Sequence, residues 1–107
     1  MIFSIDSSLL EAVVLSIIFI NDIHGYELTR KINEIVEVSD STLYPILRRL
    51  QKIDYLESYS EKYLGRNRRY YSITEKGKTQ LMFYKEEWTK YKAKIDMIFD
   101  KVIISEI

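Results

Sequence analysis

The sequence predicts a mainly α-helical chain with one small β-hairpin, in the order α-α-α-β-β and then a long final helix. Three observations predict it. Apolar residues recur at helical spacing in three successive stretches between Leu9 and Ile53. Two tyrosine-rich stretches then alternate at strand period around a basic segment, Lys62 to Arg69. Beyond them Leu81, Tyr84, Trp88, Tyr91, Ile95, Ile98 and Val102 follow a 3-4-3-4-3-4 spacing, an uninterrupted heptad seam.

The first helix runs to about Ile20, with Ser7–Ser8 able to cap it and Asn21-Asp22 ending it. Leu9, Leu10, Val13, Val14, Ile17 and Ile18 give it an apolar surface too wide for one modest neighbour. The run Leu9 to Ile20 is twelve residues long and contains Glu11 and Ser16. That is too short to cross a bilayer of about 30 Å. It also makes a poor signal peptide, because Met1 to Ser8 carries Asp6 and no lysine or arginine. A buried helix in a cytoplasmic protein is the expectation.

His24-Gly25 opens a second helix, about Tyr26 to Ile35, with Leu28, Ile32 and Ile35 on one side. His24 reads as a local capping residue. Ser39, Asp40 and Ser41 can each cap a third helix, and the sequence leaves the choice open. Pro45 argues for a start near Ser41, because proline is tolerated in the first turn. At 100° per residue, Leu43, Ile46, Leu47, Leu50 and Ile53 gather on one face. Ser41, Tyr44, Pro45, Arg48 and Lys52 gather on the other, with Thr42 and Arg49 at its edges.

Tyr55 to Glu61 and Tyr70 to Thr74 are the expected strands, and Lys62 to Arg69 the tip between them. Gly65 is free there to take positive φ. Thr74 then caps the last helix, and Glu75 suits its positive N-terminal end. The chain divides into residues 1–74, a winged helix-turn-helix, and residues 75–107, a helix for dimerisation.

Composition narrows function. The chain has 107 residues, 47% of them hydrophobic, no cysteine and one histidine. Disulfide frameworks, cysteine-based zinc sites and thiol nucleophiles are excluded, as is a site built on several histidines of one chain. No nucleophile–base pair and no glycine-rich phosphate loop is present, so no catalytic residue, cofactor or metal site is assigned. Basic and acidic residues number 16 each. Their distribution matters more than their sum. Thr42 to Lys52 holds Arg48, Arg49 and Lys52 without an acid, and Lys62 to Arg69 holds Lys62, Arg66, Arg68 and Arg69 without an acid. Each could be a merely solvated surface. A cationic helix followed by a cationic hairpin is, however, how a winged helix-turn-helix grips duplex DNA. On that reading the helix start offers Ser41 and Thr42, Tyr44 donates to phosphate, Arg48 forks onto guanine or phosphate, and Arg49 and Lys52 add charge. Arg66, Asn67, Arg68 and Arg69 form the second contact.

HGYELTRKI, STLYPILRRLQKIDYLES, GRNRRYYSIT and TEKGK, taken as an ordered set from Leu9 to Lys78, resemble the PadR family of bacterial transcriptional regulators. The resemblance implies a recognition helix carrying Ser41, Thr42, Tyr44 and Arg48, and a wing carrying Arg66, Asn67, Arg68 and Arg69. It places Tyr71 and Ile73 in the core. It also implies the family's short branch, whose single C-terminal helix mediates homodimerisation through Leu81, Tyr84, Trp88, Tyr91, Ile95, Ile98 and Val102. In some members of that branch the tryptophans of both helices flank a pore for planar, apolar compounds, which would assign Trp88, Tyr84 and Tyr91 to an effector. Where the family has glycine after the recognition helix this chain has Asp54, at a site that wants left-handed geometry. The expected partners are double-stranded DNA at a palindromic operator and a second copy of the chain, and the expected action is repression. The alternative is a winged helix that binds protein rather than DNA.

Overall fold

The computed structural model describes residues 2–103, so Met1 and residues 104–107 of the two expected units lie outside the described residues. Four helices and three strands follow in the order α1 (Ser7–Ile20), β1 (Ile23–His24), α2 (Gly25–Ile35), α3 (Asp40–Lys52), β2 (Leu56–Tyr63), β3 (Arg66–Ile73) and α4 (Glu75–Phe99).

Asp6, rather than Ser7 or Ser8, caps α1: its carboxylate accepts from the Leu9 amide at 2.8 Å. Leu10, Val14, Leu15 and Ile18 of α1 are buried against Leu28 and Ile32 of α2 and Leu43, Leu47 and Leu50 of α3. These are the apolar stripes of the sequence, now facing one another. One charged group is buried with them. Glu11 is 2% exposed, pairs with Arg49 of α3, and accepts a hydrogen bond from the Tyr84 hydroxyl of α4 at 2.7 Å.

α3 begins at Asp40 with Ser39 at the cap position. Pro45 therefore sits in the second turn rather than the first. The ring removes only the N–H that would have reached the Ser41 carbonyl, and the helix continues to Lys52. It ends in paired bonds, Tyr55 N–H to Leu50 O at 2.9 Å and Asp54 N–H to Gln51 O at 3.1 Å. This is a Schellman stop with Asp54 in the left-handed position, φ 66°.

The sheet departs from the expected pair of strands. It has three, ordered β1-β3-β2, with Ile23 and His24 pairing Tyr71 and Tyr70. A two-residue strand has no periodicity to detect, so only its partner reveals it. The hairpin arms are also longer and the tip shorter than expected. Strand pairing runs out to Tyr63↔Arg66, leaving Leu64 and Gly65 as a two-residue turn. Both have positive φ, 51° and 80°, the arrangement of a type I′ turn that matches strand twist. The cations of the wing therefore lie on strands, Lys62 on β2 and Arg66, Arg68 and Arg69 on β3, not on a loop. Charged side chains are no obstacle to a strand when both faces near the tip are solvated.

Thr74 caps α4 as expected, accepting from the Gly77 amide at 2.9 Å. The helix start is bolted to the end of α3: Thr74 donates to the Asp54 carbonyl at 2.7 Å and Lys76 to the Ile53 carbonyl at 2.9 Å. A β-carbon at Gly77 would overlap the Tyr55 carbonyl oxygen, which is why glycine stands there. The division at Thr74 coincides with an element boundary, yet Leu81 and half-buried Tyr84 belong to the same core as α1. Beyond them α4 leaves it: Trp88 is 43% and Ile98 62% exposed.

Candidate nucleic-acid interface

The exposed face of α3 carries Ser41, Thr42, Tyr44, Pro45, Arg48 and Lys52, as the helical spacing requires. Tyr44 and Arg48 face the wing across an open groove of about 660 Å³, whose other walls include Tyr26, Gln51, Arg68 and Arg69. α2 supplies one rim, α3 the floor and β3 the second rim. Ser41, Thr42, Lys52, Arg66 and Asn67 are exposed beyond this groove, Thr42 lining a second hollow with Phe3 and Ser39.

Arg68 and Arg69 are neighbours on a strand and so project to opposite faces. Each is tied to a different element. Arg69 donates to the Gln51 side-chain carbonyl on α3 at 3.3 Å, and the Gln51 amide donates to Ser58 on β2 at 3.0 Å. Arg68 lies 4.3 Å over the Tyr63 ring, and its guanidinium sits 3.2 Å from Nε2 of His24. His24 is also the cap of α2, as the sequence suggested, with Nδ1 3.4 Å from the Glu27 amide. A neutral imidazole has one lone pair, so it can accept from only one of these two donors at a time. The wing's arginines thus reach α3 at Gln51 and the end of β1 at His24.

The charges divide clearly. No carboxylate lies within ion-pair distance of Arg48, Lys52, Arg66, Arg68 or Arg69 among the described residues. Glu27, in the first turn of α2, is satisfied by Arg30, whose Nε donates to it at 3.1 Å. That hydrogen bond holds the Glu27 carboxyl below its ordinary range. Arg30 also pairs with Glu34 at 3.5 Å, so the flank of α2 is internally balanced. The result is a concave surface with free cations on two sides, the electrostatic footprint of a phosphate backbone.

Arg49 stands apart from the other basic residues. Its guanidinium turns away from the groove to Glu11, which gives it a structural task that sequence spacing alone did not separate from the exposed face. Sequence reasoning passed over Tyr26 and Gln51. Tyr26 is 77% exposed at the first turn of α2, an exposed aromatic in an otherwise amphipathic helix.

The profile of the transcriptional regulator PadR-like family matches residues 14–82, a span that contains α2, α3 and the β2–β3 hairpin. The chain belongs to this family. PadR-like proteins are transcriptional regulators, not enzymes, and act by binding DNA. A solved structure from Streptococcus mutans UA159 is similar at 37% identity and a TM-score of 0.89, covering 96% of this chain and 97% of that one. A PadR-like transcriptional regulator from Bacillus cereus ATCC 14579 is 34% identical, with a TM-score of 0.82 over 88% of this chain and 94% of that one. A protein of Lysinibacillus sphaericus is 32% identical over 96 residues, 85% of this chain and 88% of that protein. The helices and the β2–β3 hairpin of this chain form the winged helix of this DNA-binding family. No helix among the described residues is long and apolar enough to cross a membrane.

The second surface of this PadR-like chain shares no residue with the first. It is an apolar groove of about 660 Å³ between α1 and α4, walled by Leu9, Val13, Ile17, Met82 and Trp88 among others. The heptad seam is divided across it. Leu81 is buried in the chain's own core and Tyr84 gives its hydroxyl to Glu11, so the first two seam residues are engaged internally. Trp88, Tyr91, Ile95, Ile98 and Val102 are exposed. The Trp88 and Tyr91 rings lie 6.2 Å apart, tilted by 45°.

Proposed function

We propose that the protein is a homodimeric repressor that binds a palindromic operator through α3 and the wing. The observation that carries this reading is the groove between α3 and β3, where Arg48, Arg68 and Arg69 converge without acidic partners. Ser41, Thr42, Tyr44 and Arg48 would meet base edges and phosphates of a major groove, and Lys52, Arg66, Asn67, Arg68 and Arg69 the flanking backbone. The exposed apolar residues from Trp88 to Val102, together with the outer face of α1, support a partner helix laid along α4. Two-fold symmetry then repeats the DNA surface, which asks for half-sites about one helical turn apart. Trp88 and Tyr91, open and tilted, suit a planar apolar effector that would release DNA by favouring one spacing of the two recognition helices.

The test is a binding titration on duplex DNA from the protein's own promoter region. Lys52, Arg66, Arg68 and Arg69 are four backbone contacts per protomer, or eight per dimer. Log affinity should then fall against log salt with a slope of about −7. A flat salt dependence, or no binding at low salt, would favour the protein-binding alternative. Arg48→Ala should weaken binding and relax specificity at one position, by about 1–3 kcal/mol. Joint replacement of Ile95 and Ile98 by Asp should give monomers on a sizing column, and quenching of Trp88 emission by planar aromatic compounds would report the effector.

A further inference from the structure

Leu64 stands at the tip of the wing, where the fold least accounts for it. The turn is only Leu64 and Gly65, and a type I′ turn needs positive φ at both residues. Glycine, asparagine and aspartate meet that demand readily; a γ-branched apolar side chain does so at a cost. Leu64 nevertheless adopts φ 51° and is 87% exposed, so neither local conformation nor burial explains it. Its surroundings are cationic and aromatic: Lys62 and Tyr63 precede it on β2, and Arg66 and Arg68 follow on β3. The two arms of eight residues each carry this side chain about 25 Å from the hairpin base at Leu56. A strained, exposed residue at the far end of a rigid, positively charged arm marks a site of contact.

We infer that Leu64 is an apolar wedge that enters the minor groove of the duplex flanking the recognition-helix site, resting on deoxyribose and base edges. This rests on the DNA-binding reading above and deepens it by naming what the wing tip touches. The minor groove is about 6 Å wide, on the scale of one leucine side chain carried by the narrowest turn a hairpin can have. Cations at Lys62 and Arg66 would hold the phosphates on either side while the leucine displaces water between the sugars. Apolar side chains used in this way open base steps and bend the duplex. The conformational cost at φ 51° is then recovered on binding, when the exposed side chain becomes buried.

The experiment compares the parent with Leu64→Asn and Leu64→Met on a duplex that the parent selects from a random pool. Asparagine suits the turn, so Leu64→Asn should melt about 3 °C higher. It should bind about tenfold more weakly, the loss expected for one buried leucine, and bend the duplex less as read by end-to-end energy transfer. Its salt slope should match the parent's, because no charge is removed. Leu64→Met, which keeps a flexible apolar tip, should bind within about twofold of the parent. If Leu64→Asn binds and bends like the parent, the wedge is refuted while DNA binding stands. If it melts lower than the parent, the leucine holds the hairpin and the inference also fails. If the parent selects no duplex, the DNA-binding reading itself has fallen.

Discussion

Replacing Arg49 by methionine tests the least expected feature of the fold. Glu11 is 2% exposed, and its carboxylate has two partners, the Arg49 guanidinium and the Tyr84 hydroxyl at 2.7 Å. Arg49→Met leaves a buried carboxylate with the hydroxyl alone. Removing one partner of a buried pair costs about 3–5 kcal/mol. The Arg49 side chain is 53% exposed, so water reaches the vacated site and the low end, about 3 kcal/mol, applies. Unfolding entropy of about 2.1 cal/mol/K per residue over 107 residues is roughly 0.22 kcal/mol/K, and Tm should fall by about 13 °C. The double variant Glu11→Leu/Arg49→Met removes both charges. It should recover all but about 1 kcal/mol, the cost of leaving the Tyr84 hydroxyl without its acceptor. Far-UV circular dichroism on heating, at one protein concentration, measures both. A fall under about 3 °C for the single variant, or an equal fall for the double, would refute the structural role of Arg49. The double variant also separates the two tasks given to this residue. If it binds DNA with the parent's affinity and salt slope, Arg49 belongs to the core and not to the DNA face.

Two further outcomes follow from the geometry. Asp54→Gly should raise Tm, because φ 66° at the Schellman stop suits glycine better; roughly 0.5–1 kcal/mol, or about 2–4 °C, is expected, and an unchanged or lower Tm would remove the strain argument. Tyr59 donates its hydroxyl to Asp22 at 2.7 Å, and this bond raises its ionisation to about 12. The neutral phenol is the form favoured in the fold, so the contribution is present below the ordinary tyrosine value near 10. It is lost as pH rises through about 12. Ultraviolet difference absorbance should therefore show late titration of Tyr59, moved to lower pH by Asp22→Asn and lost in Tyr59→Phe.

Much of the architecture was legible because it depends on local rules. The helical period placed Leu28 and Ile32, and then Leu43, Leu47 and Leu50, on buried faces, and all are in the core. The cap at Thr74 needs only a hydroxyl three residues before a free amide. The free face of α3 follows from the same arithmetic, as does the exposure of Arg48 and Lys52. The left-handed site at Asp54 is implied by the family resemblance, which has glycine there, and the residue adopts φ 66°.

What tertiary structure decided were matters of partnership. Arg48 and Arg49 are adjacent, equally basic and on or beside the same face, yet one is free and the other is held by Glu11, far away in sequence on α1. Arg68 and Arg69 look alike in GRNRRYY, yet strand alternation sends one to His24 and the other to Gln51. β1 exists only because β3 lies beside it. Seven seam residues have one spacing, but Leu81 and Tyr84 are claimed by the chain's own α1 while those from Trp88 onward remain exposed. Sequence by itself determined the helical periods and the cap at Thr74, because each is set within a few residues by backbone hydrogen bonding and side-chain spacing. Only the folded chain decided which cation meets an acid, which strand edge is filled and which apolar face is left uncovered. Those outcomes depend on residues brought together across dozens of positions, and no local periodicity encodes the meeting.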